Sequence, residues 1–203
     1  MKELDTTIFN LKTIKLPVHE GDLLIAQPFL DEAWFSRAVI SVIDYDRKDG
    51  ATGVVLNNSM NYTLADVLEG VSSDAPEVPV FCGGPMSQDR LYFIHTLGSQ
   101  IFAGAREYSP GLYIGGDFDA AVQYVNEGYP VDGCLRFFIG YSGWSPGQLE
   151  KEISEDTWAI SPVIGEPSGL LKGEGDSYWH RIVRQLGTAY RSWRFLPRDL
   201  HAN

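Results

Sequence analysis

Two apolar, β-branched runs, Ala38 to Tyr45 and Ala51 to Asn57, flank an acidic stretch that ends in Asp49-Gly50. Glycine tolerates the positive φ that a tight turn demands, so the pair reads as a hairpin of antiparallel strands. Similar short runs recur at Asp22 to Gln27, Val78 to Cys82, Leu91 to Thr96, Ile101 to Arg106, Leu112 to Ile114, Cys134 to Gly140 and Trp158 to Ile160. So many strands leave room only for short helices, and four are marked by their ends. Thr63 caps a segment holding Leu64, Val67 and Leu68 that Gly70 closes. Asp117 opens a second, with Phe118, Ala121, Val122 and Val125 on one face and Gly128 after it. Ser145-Pro146-Gly147-Gln148 has the form of a capping box with proline at the first helical position, which predicts a helix from Pro146 to about Asp156. Ser177 opens the fourth, with Tyr178, Ile182 and Leu186 one turn apart before Gly187. Gly165 to Asp176, rich in Gly, Ser and acid, reads as a surface loop. Without regular βαβ alternation, this pattern predicts an α+β fold with a mixed, mainly antiparallel sheet.

At 203 residues the chain is expected to form a single domain, residues 1–203, that buries roughly 70% of its extended surface. It has no apolar run near the ~20 residues of a membrane helix. Met1 to Asn10 lacks the apolar core of a secretory signal, so a soluble cytoplasmic protein is expected. Acids outnumber Lys and Arg 27 to 16, giving a net charge of -11, which repels phosphate backbones and disfavours direct nucleic-acid binding. The charge is uneven. From Ser177 onward five arginines (Arg181, Arg184, Arg191, Arg194, Arg198) face one acid, Asp199, and the expectation is that this segment docks on the chain's own acidic body.

Several constellations bear on chemistry. Cys82 and Cys134 stand 52 positions apart with no second pair, which forms neither a disulfide framework nor a zinc set, and both border apolar runs where a thiol acts as a small hydrophobe. Asp44, Asp46 and Asp49 lack calcium-loop spacing, because Lys48 occupies the fifth position. His19, His95, His180 and His201 are scattered, so no metal is expected. Gly140-Tyr141-Ser142-Gly143-Trp144 resembles a nucleophile elbow but has Trp144 where a small residue is needed. Gly83-Gly84 permits converging amides that could bind an anion, with a tight turn as the alternative, and Pro85 removes a donor. Gln148 and Glu152 lie one turn apart on the helix side near Trp144.

Taken together, Gly53-Val54-Val55-Leu56-Asn57, Gly83-Gly84-Pro85, Ile94-His95, Gly140 through Ile153, and Trp158, with Pro28-Phe29-Leu30 before and Trp179 to Gly187 after, resemble the YqgE/AlgH family of bacterial proteins over about residues 20–187. The resemblance implies a bifurcated, partly barrel-like sheet surrounded by helices, in the bacterial cytoplasm, and a label of transcriptional regulation. It brings no reaction. The family commonly has Ala where this chain has Ser142, and the basic segment 188–203 departs from its shorter tails. Our reading is a noncatalytic binding or regulatory protein whose small polar pocket is formed by Asn57, Gly83, Gly84, His95, Tyr141, Trp144 and Gln148. It would need no cofactor and would take a small molecule or a protein as partner. The alternative is a hydrolase using Ser142 or a thiol-dependent enzyme using Cys82, and the same seven residues could instead serve as turn and core determinants.

Overall fold

A computed structural model describes residues 11–162 and 165–197. Ten strands form one sheet: β1 (Leu23–Ala26), β2 (Val39–Asp46), β3 (Gly50–Val55), β4 (Ser59–Thr63), β5 (Pro79–Cys82), β6 (Met86–His95), β7 (Arg106–Ser109), β8 (Leu112–Ile114), β9 (Leu135–Trp144) and β10 (Trp158–Ser161). The main path runs β10-β1-β2-β3-β9-β6-β8-β7 and does not close on itself. The expected hairpin is present, with Asp46 paired to Gly50 and Ile40 to Val55.

The sheet forks at β9. Its first half pairs in parallel with β5, Phe138 opposite Phe81, while its last residues pair antiparallel with β3 along the same edge, Ser142 opposite Gly53. The other edge belongs to β6 throughout. The β5·β9 pair is the parallel one in an otherwise antiparallel sheet, which matches the mixed α+β architecture read from the sequence.

Glycine makes the fork sterically feasible. Gly140, at φ +71°, has no room for a side chain, because a Cβ there would meet Gly84 O at 2.6 Å and Met86 O at 2.7 Å. Gly83 and Gly84 press equally close on Gly140, Tyr141 and Ser142. The Gly83 amide donates to Ile139 O at 2.8 Å, and its carbonyl accepts from Val55 N at 2.9 Å. The diglycine thus stitches the two branches together across the gap.

Both faces of the sheet are covered, and strand alternation divides the core accordingly. In β1, Leu23 and Ile25 face one cluster with Trp179, Ile182, Tyr190 and Trp193, whereas Leu24 and Ala26 face another with Trp144, Leu149, Ile153 and Trp158. A third cluster, around Phe93, Phe102 and Phe137, fills the space beneath α1 (Leu64–Val67) and α2 (Phe118–Asn126). Helix α3 (Gln148–Ser154) covers the second cluster, and α4 (Pro167–Leu170), α5 (Gly175–Gln185) and a 3-10 helix, Thr188–Phe195, cover the first.

Helix ends follow their local chemistry with some shifts. Thr63 and Asp66 form a capping box at α1, and the Asp117 carboxylate accepts from Ala120 N at 3.1 Å at α2. Helix α3 starts at Gln148 instead of Pro146, because Gly147 takes a left-handed φ of +76° that ordinary helix cannot continue through. Half of the expected box survives, with Ser145 N donating to Gln148 Oε1 at 3.1 Å. Helix α5 begins at Gly175, before Ser177, and α4 lies within the stretch read as loop. Ile101 to Arg106 is turn rather than strand until Arg106, since the chain folds back there and Phe102 drops its ring into the third cluster.

The basic C-terminal segment is held by Arg181, which donates to Gly169 O at 2.9 Å and Lys172 O at 2.8 Å, and beyond it by aromatics; among the described residues none of its arginines pairs with a carboxylate. Trp193 stacks on Trp179 with centroids 6.3 Å apart and planes 1° from parallel, and the Tyr190 hydroxyl accepts from Ile14 N at 2.8 Å. Arg198 lies outside the described residues. Among the described residues, no helix is long and apolar enough to cross a membrane.

Candidate functional site

The motif that ends β9 and opens α3 is built around one carboxylate. Glu152 Oε2 accepts from the indole Nε1 of both Trp144 and Trp158, each at 2.8 Å, and Gln148 Nε2 donates to Oε1 at 2.9 Å. Gln148 and Glu152 are one helical turn apart, the spacing that lets them meet. The two indoles cross edge to face, 6.3 Å between centroids. This bracing presses the first turn of α3 onto the end of β9 and fixes the chain between them.

That turn borders an open cleft of about 460 Å³. Tyr141, Gly143, Trp144, Ser145 and Pro146 form one wall, and Asp44, Asp46, Asp49 and Gly50 from the β2-β3 hairpin form the other. Met86, 48% exposed, closes one end. Gly50, at φ +102°, lies so close to Trp144 O that a Cβ could not be accommodated, which keeps the hairpin tip against the turn. The Tyr141 ring stands edge-on to Tyr92 at 6.0 Å, so its face is held in place. Three exposed carboxylates beside an aromatic wall form a surface suited to a cationic group.

The other residues singled out from the sequence are placed elsewhere. Asn57, 4% exposed, accepts from Val39 N at 2.8 Å and donates to Arg37 O and Gly175 O at 2.9 and 3.0 Å. Its amide therefore ties the start of β2 to the first residue of α5, at the edge of a separate polar hollow of about 210 Å³ that also touches Trp34 and Asp176. His95 is fully enclosed. Its Nδ1 accepts from Leu97 N at 3.3 Å, so Nε2 carries the proton and donates to Gly115 O at 3.1 Å. Tyr113 stacks on this ring at 5.5 Å, and burial lowers its pKa against the opposing pull of the Gly115 hydrogen bond. Gly83 and Gly84 are inside the fork. Of the seven, Tyr141 and Trp144 border the acidic cleft and Gln148 braces it through Glu152.

The two nucleophile candidates are internal. Ser142 has no exposed surface and donates to Gly83 O at 3.1 Å. Cys82 is 4% exposed, its Sγ lying 3.8 Å from Gly84 O. The three acidic wall residues were visible in the sequence as a hairpin tip, but their position opposite Tyr141 depends on β3 pairing with β9 across some ninety residues of chain.

A family model described as AlgH-like matches residues 23–191. A UPF0301 protein of Parabacteroides distasonis is 39% identical over 188 residues, spanning 93% of this chain and 92% of its own. A UPF0301 protein of Bacteroides thetaiotaomicron is 34% identical over 194 residues, spanning 96% of each. Among solved structures, a Corynebacterium diphtheriae protein superposes with a TM-score of 0.73 at 19% identity, covering 93% of this chain and 97% of its own. The AlgH protein of Pseudomonas aeruginosa does so with a TM-score of 0.66 at 24% identity, covering 87% and 94%. These two likenesses concern the fold.

Proposed function

The chain belongs to the AlgH-like family, and on that premise we propose that it is a noncatalytic binding protein of the bacterial cytoplasm, with the acidic cleft at the end of β9 as its binding site. The observation that carries this reading is the contrast within one motif. Tyr141 and Trp144 border an open cleft, whereas Ser142 between them spends its hydroxyl on the Gly83 carbonyl. A hydrolase needs that hydroxyl beside a base and facing substrate, and a thiol enzyme needs an accessible thiolate, so burial of Ser142 and Cys82 argues against both alternatives. Any regulatory role would then pass through a bound small molecule or protein instead of DNA, in keeping with the net charge of -11.

The acidic wall selects among ligands. Asp44, Asp46 and Asp49 favour an amine or guanidinium group over a nucleotide, and Tyr141 offers an aromatic face to it. The test is a thermal-shift screen with spermidine, arginine, nucleotides and inorganic phosphate, run on the native chain and on Asp46→Asn/Asp49→Asn. The cationic compounds should raise Tm in the native chain and lose that effect in the double variant, whose exposed substitutions leave the core intact. No shift with any compound, or an equal shift in both proteins, would overturn the assignment.

A further inference from the structure

A second surface carries charge of the opposite sign. In a 3-10 helix, side chains three positions apart eclipse one another, so Thr188–Phe195 presents three ridges, the third ending in Phe195. Tyr190 and Trp193 form the buried ridge, packed beside Trp179 on α5. Arg191 and Arg194 lie exposed on another. Arg184, exposed in the last turn of α5, lies on the neighbouring element. Phe195 follows at 72% exposure, its ring 5.8 Å from the Arg194 guanidinium.

The described residues do not neutralise these cations. Among the described residues, no carboxylate lies within ion-pair distance of Arg184, Arg191 or Arg194, although acids outnumber bases 27 to 16 in the chain. The fields of Arg184 and Arg194 meet at His180. The pKa of His180 is lowered by burial and by the charge of Arg37, with Asp176 opposing and Arg184 and Arg194 adding to the depression.

We propose that Arg184, Arg191, Arg194 and Phe195 form a docking face for an acidic segment of a partner protein, distinct from the cleft at β9. Charge complementarity specifies the partner. Guanidinium groups pair with carboxylates in bidentate fashion, and an apolar side chain among those carboxylates would cover the Phe195 ring. A nucleic acid is the poorer fit, because its charge continues beyond the patch and meets the surrounding acidic body, whereas a short acidic segment ends within it.

Fluorescence anisotropy at low ionic strength tests this with a labelled peptide of Asp and Glu around a central Phe, a matched peptide with Lys in place of the acids, and a labelled single-stranded oligonucleotide. The acidic peptide alone should bind. Arg191→Glu/Arg194→Glu should weaken it about tenfold or more, and Phe195→Ala, on an exposed side chain, should weaken it with the fold intact by circular dichroism. Failure of the acidic peptide to bind, equal or tighter binding of the oligonucleotide, or unchanged affinity in the folded charge-reversal variant would each overturn the proposal. None of these outcomes depends on a ligand in the acidic cleft.

Discussion

Trp144 and Trp158, on different strands, donate their indole N–H groups to one and the same oxygen of Glu152. A carboxylate makes this sharing effective, because a charged acceptor roughly doubles the strength of each bond. Glu152→Ala would leave both indole donors without their partner and should cost about 2–4 kcal/mol. Glu152→Gln keeps one acceptor oxygen and should cost less. Urea unfolding of the two variants checks the order, and a loss below about 1 kcal/mol for Glu152→Ala would show that water replaces the carboxylate.

The two described imidazoles with lowered pKa set a pH dependence. Arg37 donates to His180 Nε2 at 2.7 Å, and Leu97 N donates to His95 Nδ1, so both rings are neutral in the fold. The unfolded chain takes up these protons near pH 6.5 while the native chain resists them, so stability is complete above that value and falls as pH drops through it. Denaturant titrations between about pH 5 and 8 measure this fall, and a flat profile would contradict the neutral assignments. Asp66 and Asp156, whose hydrogen bonds to Thr63 and to Lys15 and Thr13 hold their pKa values below 3.8, contribute in a separate, more acidic window.

Glycines with similar dihedrals should differ sharply in tolerance. Gly140 and Gly104 both have positive φ, but a Cβ meets backbone at Gly140 and open space at Gly104. Gly104→Ala should cost about 1–2 kcal/mol from the left-handed conformation alone. Gly140→Ala adds the collision with Gly84 and Met86 and should exceed about 4 kcal/mol. Comparable melting temperatures for the two variants would refute the close approach at the fork.

Thiol accessibility gives a further check. Cys82 is buried and Cys134 only partly so. A thiol reagent at neutral pH should modify Cys134 in the native protein and reach Cys82 only after unfolding, as mass mapping can report. Rapid native labelling of Cys82 would reopen the thiol-enzyme alternative.

The hairpin, the first part of β9 and the α3 region were legible because each carries its own local signal: alternation, a turn glycine, a cap; β9 runs on to Trp144, past the Gly140 where it was expected to end, because its last residues pair with β3. Strand β4 was not. Ser59 to Thr63 is polar and mostly exposed, and its strand character comes from pairing with β5. Ile101 and Phe102 misled in the opposite sense, since an apolar pair reads alike whether its backbone is extended or turned. The candidate site shows the same limit. Asn57 and His95 stand out as polar residues beside apolar runs, but spacing does not reveal that their hydrogen bonds are spent on Val39, Gly175, Leu97 and Gly115. Gln148 and Glu152 could be paired from helical spacing, whereas the acid facing Tyr141 arrives by long-range strand pairing.

Strand β9 lends one edge to two partners in succession, and this has a temporal side. During synthesis the β1-β2-β3 and β4-β5 stretches emerge well before residues 135–144, and neither can gain its central neighbour until then. The β6-β8-β7 stretch waits on the other edge, so three partners of β9 are already made before the one segment that can join them.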